Sequence, residues 1–84
     1  MEVEIYGKDG CKYCANAKTM CEMTKTNFVY KNLDKGEYKK EDLLTRMGLV
    51  ENTHITLPQC FVDGVLVGGS TELFAFLSAQ RKSA

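Results

Sequence analysis

Between Glu2 and Tyr30 the order of residues leaves the chain little choice of architecture. Glu2-Val3-Glu4-Ile5-Tyr6 alternates polar and apolar residues among β-formers and stops at Gly7, the pattern of a short strand. Lys8-Asp9-Gly10 follows as a turn. From Lys12 to about Thr24 there is neither Gly nor Pro, and Ala15, Met20, Cys21 and Met23 form a loosely helical apolar stripe, with Ala17 and Lys18 between them. Thr26-Asn27 then turns into a second strand, Phe28-Val29-Tyr30. A crossover helix of this length joins two parallel neighbours in a right-handed unit, because a tight turn cannot reverse the chain between parallel strands.

The second half reads differently. After the break at Lys35-Gly36, the span Lys39 to Met47 places Leu43, Leu44 and Met47 on one side of a short helix that Gly48 ends. Gln59-Cys60-Phe61-Val62 and Val65-Leu66-Val67 flank Asp63-Gly64, the turn dipeptide that most favours a two-residue hairpin, so this pair is antiparallel. Gly68-Gly69 ends the hairpin and Ser70 or Thr71 is positioned to cap a last helix. Leu73, Phe76, Leu77 and Gln80 trace one face of that helix, with Phe74 beside it, and the tail from Arg81 to Ala84 is expected to fray. The expected fold is α/β, in the order βαβ-α-ββα: a four-stranded mixed sheet flanked by three helices, as one domain over residues 1–84.

Composition narrows the function. A chain of 84 residues with 44% hydrophobic content supports one core and buries roughly 63% of its unfolded surface, enough to fold without obligatory staples. Eleven basic residues balance eleven acidic ones, which argues against nucleic acid or an anionic membrane surface as partner. Met1-Glu2-Val3-Glu4 lacks the basic and apolar regions of a signal peptide, and no apolar run approaches the ~20 residues of a bilayer span, so a cytoplasmic protein is expected. Four cysteines are the compositional anomaly. In a reducing compartment such cysteines are catalytic or metal-binding more often than structural.

Cys11-Lys12-Tyr13-Cys14 sits where the first strand hands over to the first helix. A sulfur there faces unpaired backbone N–H groups and the positive end of the helix dipole, which favour thiolate over thiol, and Lys8 and Lys12 add positive charge. Cys11 is the natural nucleophile, and Cys14, one turn deeper, is placed to resolve a mixed disulfide formed at Cys11. The same spacing supplies half of a zinc site, but no second C-x-x-C is present. Cys21, Cys60 and His54 are singletons, with Cys21 about 10 Å along the helix from Cys14 at the helical rise. Redox chemistry is the better reading, and Cys21 and Cys60 read as buried packing thiols. His54 reads as an ordinary loop residue.

Two further motifs are weaker alone. Pro58, the only proline, follows Thr56-Leu57 at a strand start, where a missing N–H is tolerated in any case. Gly68-Gly69 before a helix permits close backbone approach and leaves free N–H groups for a carboxylate, although a capped helix after a tight turn looks the same. Taken together, Val3-Glu4-Ile5-Tyr6, Cys11-x-x-Cys14 with Tyr13, Thr56-Leu57-Pro58-Gln59 and Gly68-Gly69 have the order and approximate spacing of a glutaredoxin, within the thioredoxin-like fold. The resemblance runs from about Val3 to Leu77. The long connection from Gly48 to Thr56 is more similar to the small bacteriophage glutaredoxins than to the shortest bacterial ones.

The resemblance implies an activity and a site. It implies a thiol–disulfide oxidoreductase in which Cys11 attacks and Cys14 resolves, with glutathione as reductant and co-substrate and no metal. Pro58 would be cis, leaving the Leu57 backbone to pair with the cysteinyl unit of glutathione like an added strand. Lys8 and Lys40 would take the glycine carboxylate, Tyr13 would line the same groove, and Gly69, Ser70 and Thr71 would hold the γ-glutamyl carboxylate. Disulfide-containing proteins would be the clients, ribonucleotide reductase among those that small members serve, and the protein would act as a monomer. The chain departs from the family in having Lys12 in place of the usual proline between the cysteines, and Thr71 where an acid is usual. Two other functions compete: a thioredoxin-like donor reduced by a flavoenzyme, against which stands the absence of Trp, and a [2Fe–2S] carrier in which two chains hold the cluster through Cys11 and two glutathiones.

Overall fold

Seven elements follow one another along the chain: β1 (Glu2–Gly7), α1 (Lys12–Met23), β2 (Asn27–Asn32), α2 (Lys40–Arg46), β3 (Gln59–Val62), β4 (Val65–Gly68) and α3 (Ser70–Ser83). This is the order expected from the sequence. The computed structural model describes the backbone of residues 1–83 and the side chains of residues 1–80. α3 continues through the segment expected to fray as far as Ser83, and Ala84 lies outside the described residues.

The sheet order is β2-β1-β3-β4. β1 and β2 run parallel in register from Glu2–Asn27 to Gly7–Asn32, while β3 is antiparallel to both β1 and β4. Asp63 and Gly64 both take left-handed conformations, φ 48° and 85°, as the two central residues of a type I′ hairpin turn require. Gly48 does the same at φ 76° behind α2.

Alternation along β1 and β3 sorts the side chains into two unlike layers. Val3, Ile5, Cys60 and Val62 face α1 and α3, where they pack with Ala17, Cys21, Leu73 and Leu77 in a wholly apolar cluster. Tyr6 and Phe61 face the other way, toward Leu43 of α2, with Leu33, Met47, Ile55 and Leu57 at the margin. Glu4 shares that second face. Its carboxylate takes two hydrogen bonds from the Arg46 guanidinium, at 2.5 and 2.7 Å, and one from Lys31 Nζ at 2.7 Å. Arg46 also lies over the Phe61 ring, 4.0 Å from its centroid. Hydrogen bonding from Arg46, with Lys31 adding to it against the cost of burial, holds the Glu4 pKa near 2. A cationic clamp therefore ties α2 to β1.

One expectation needs correction. The buried residues of α1 are Cys14, Ala17 and Cys21, whereas Ala15 is exposed and Met23 is 78% exposed. The helix lies against strands and against α3, so small side chains fill the close contact. Of the expected stripe Cys21 is buried and Met20 packs at the edge of the core, while Ala15 and Met23 face outward and Ala17 takes an inner position. On α3, Leu73 and Leu77 are buried as expected, while Gln80 and Phe74 face outward.

Candidate active site

The turn between β1 and α1 is held from β2. Tyr30 Oη donates to the Lys8 carbonyl at 3.2 Å, Asn32 Nδ2 donates to the Asp9 carboxylate at 2.8 Å, and the Asp9 N–H donates to Asp34 at 3.1 Å. These bonds deliver the chain to α1 with Cys11 as its N-cap, in extended conformation at φ −97°, ψ 112°. Cys11 Sγ accepts the Cys14 N–H at 3.2 Å, so the sulfur itself satisfies one of the free donors at the helix start. No acid occupies the first turn of α1 to compete for that positive end.

Cys11 and Cys14 are joined as a disulfide with Cα atoms 5.2 Å apart, the oxidised form of the pair. Cys11 is partly exposed, whereas Cys14 is 0% exposed. The depth of Cys14 depends on Gly7. A Cβ at Gly7 would run into the Tyr30 hydroxyl and stand 3.0 Å from Cys14 Cβ, so the glycine serves close packing under the disulfide. The sequence marked Gly7 only as the end of a strand.

Three segments distant in sequence converge on Cys11. The Leu57-Pro58 peptide is cis, and the Leu57 carbonyl oxygen lies 3.8 Å from Cys11 Sγ, an acceptor for the thiol once the disulfide is opened. Gln59 Nε2 pins this loop by donating to the Thr56 carbonyl at 2.8 Å. Lys8, Cys11, Lys40 and Leu57 line one cleft of about 620 Å³. Tyr13, Leu57, Pro58, Gly69, Ser70 and Thr71 line an adjoining one of about 430 Å³. Of the residues expected to attack, to resolve or to bind glutathione, Cys14 alone is absent from these walls, and it is fully buried.

The sequence missed or misassigned some of the surroundings. His54, read as an ordinary loop residue, and Asp34, which had not been singled out, also line the first cleft. Their only signal was adjacency, His54 to the Thr56-Leu57-Pro58 motif and Asp34 to the end of the second strand. At the start of α3, neither Ser70 nor Thr71 is the cap. The Leu73 N–H bonds to the Gly69 carbonyl at 3.0 Å, making Gly69 the cap residue, and the Gly69 N–H donates to Glu72 Oε1 at 2.8 Å. Glu72 thus closes half of a capping box. A Gly-x-x-Glu spacing carried that signal.

The other two cysteines sit in a different environment. Cys21 and Cys60 are free, buried thiols in the apolar cluster. Burial, with a smaller contribution from Glu22, raises the Cys21 pKa to about 11. Burial, followed by the nearby Cys21 and Glu72, raises that of Cys60 to about 12. Among the described residues, no group of three or more His, Cys, Asp or Glu side chains is arranged to hold a metal ion.

Comparison with known proteins follows from this geometry. The glutaredoxin family model matches residues 3–67. Glutaredoxin 3 of Escherichia coli K12 is 34% identical over 73 residues, covering 87% of this chain and 82% of that protein. The glutaredoxin of Enterobacteria phage T4 is 35% identical over 80 residues, covering 83% of this chain and 92% of its own. Reduced Escherichia coli glutaredoxin superposes with a TM-score of 0.80 at 30% identity, covering 98% of this chain and 99% of that one. With likeness running through both cysteines and the Thr56-Leu57-Pro58 loop on a shared topology, the chain belongs to the glutaredoxin family and is a thiol–disulfide oxidoreductase.

Proposed function

We propose that the protein is a glutathione-dependent dithiol reductase, a single domain over residues 1–84 that acts as a cytoplasmic monomer on protein disulfides and glutathione mixed disulfides. In this reading the Cys11 thiolate attacks one sulfur of a client disulfide. A Cys11–client disulfide forms as the client S–S bond breaks, and the departing sulfur takes up a proton. Cys14, deprotonated in turn, attacks Cys11 sulfur, frees the second client thiol and closes the Cys11–Cys14 disulfide. The client gains two electrons and the protein loses two. One glutathione then opens the disulfide at Cys11, releasing Cys14 as a thiol. A second attacks the glutathione sulfur of that adduct, giving glutathione disulfide and the restored dithiol.

The observation that carries the reading is the convergence, around a partly exposed Cys11, of clefts whose chemistry matches an extended anionic tripeptide. Lys8 and Lys40 suit its glycine carboxylate, the Leu57 backbone suits its cysteinyl unit, Pro58 and Tyr13 form the wall, and the α3 start at Gly69, Ser70 and Thr71 suits the γ-glutamyl carboxylate. Glu72 shares that last cleft and stands one residue beyond the position where the family usually carries an acid. Ribonucleotide reductase is a proposed client.

The test is a pair of coupled assays on the same reduced protein and disulfide substrate, one driven by glutathione with glutathione reductase, the other by a thioredoxin-reductase-type flavoenzyme. Sustained NADPH oxidation in the first assay is the expected result. Turnover in the second alone would replace glutathione by a flavoenzyme as electron source.

A further inference from the structure

Cys11 borders a third cleft, of which the glutathione reading uses only Lys8 and Cys11 itself. It is an open depression of about 600 Å³ between the β1–α1 turn, α1 and β2, and adjoins the first cleft where the two share Lys8 and Cys11. Lys8, Lys12, Lys18 and Lys35 line it against one acid, Asp9. Asp9 is already engaged, with Lys35 at 3.4 Å and Asn32 at 2.8 Å. Lys8, Lys12 and Lys18 form no ion pair among the described residues. Lys18 lies instead over the Tyr30 ring, 5.1 Å from its centroid, which keeps its stem along the wall. The chain as a whole is neutral. Four of its eleven basic residues nevertheless gather beside the reactive sulfur.

We propose that this lysine cleft docks an acidic segment flanking the disulfide of a protein client, and so selects protein substrates by charge. The inference rests on Cys11 being the attacking sulfur. A client disulfide brought to Cys11 carries polypeptide on both sides, and the groove assigned to glutathione accommodates only one of them. The other side meets the lysines. An acidic polypeptide fits better than nucleic acid, because the lysines gather around a cleft with the reactive sulfur on its rim while the chain as a whole carries no net charge. Attraction between the cleft and such a segment raises encounter rate and register more than final affinity, and salt screens it.

The experiment uses single turnovers of dithiothreitol-reduced protein, freed of reductant, on two synthetic peptides with the same intramolecular disulfide, one flanked by glutamates and the other by glutamines. Acid-quenched mass spectrometry follows peptide reduction. No glutathione is present, so failure of the glutathione reading would leave the result intact. The glutamate peptide is expected to react about tenfold faster at low ionic strength, with the preference collapsing in about 1 M salt. Lys18→Glu with Lys35→Glu should abolish the preference while leaving the glutamine peptide within twofold of its original rate. Lys18→Gln with Lys35→Gln, which removes charge without reversing it, should give an intermediate preference if the reversal variant does not fold. Equal rates on the two peptides, a preference insensitive to salt, or a preference undiminished in these variants would overturn the proposal. So would a short single-stranded oligonucleotide inhibiting as strongly as the glutamate peptide, which would mark a general polyanion site.

Discussion

The two pairs of cysteines have the same side chain and opposite chemistry. Cys11 and Cys14 stand at the start of α1, where Cys11 is partly exposed, accepts a helix N–H and has Lys8 and Lys12 beside it. Cys21 and Cys60 lie in the apolar layer, where burial carries their pKa values to about 11 and about 12. A thiol is reactive as its anion, so α1 carries a working sulfur at its first turn and an inert one at Cys21. The difference teaches that position on the helix, not cysteine count, defines the redox centre.

The comparison can be broken most severely at Cys11. Cys11→Ser should lower all disulfide reductase activity by about 10³-fold or more, whereas Cys21→Ala should leave the rate within twofold. Cys14→Ser divides the pair. Reduction of a glutathione mixed disulfide should persist while reduction of an intramolecular protein disulfide is lost, as measured by rates on the two substrates. Gly7→Ala presses on the pair from below. The added Cβ meets Tyr30 and Cys14, and chemical denaturation should show a loss of about 2 kcal/mol.

A further effect concerns the inert pair and pH. Both folded-state thiols have pKa values raised from the usual 9.0, so the native state holds its protons longer than the unfolded state. Their contribution to stability is complete below pH 9 and is lost as pH rises toward 11 and 12, at about 1.4 kcal/mol per thiol per pH unit. Replacing both with Ala should lower stability at pH 7 and flatten the alkaline limb of the curve. An unchanged alkaline limb would count against their burial.

Much of this was legible in the sequence because local signals and the fold agree. The Gly- and Pro-free span between two β-runs, Asp63-Gly64 and Gly48 each specified an element whose geometry the structure reproduces. The site was legible for a similar reason, since its parts lie at element ends marked by Cys, Pro and Gly. What failed was neighbour-dependent. Ala17 is buried instead of Met23 because α1 packs close to the sheet, a spacing no helical stripe reveals. The clamp of Glu4 by Arg46 and Lys31 joins residues up to 42 positions apart in sequence, so no local pattern could announce it. Gly7 looked like a stop, yet its requirement comes from Tyr30 and Cys14 across the fold.

Timed alkylation of the reduced, native protein tests the central claim most directly. With iodoacetamide at pH 7.5 (an assay value of about neutral pH, where only low-pKa thiols react quickly), peptide mass spectrometry should find Cys11 modified first. Cys21 and Cys60 should remain unmodified until denaturant is added. Modification of Cys21 or Cys60 in the folded protein at a rate matching Cys11 would contradict the account.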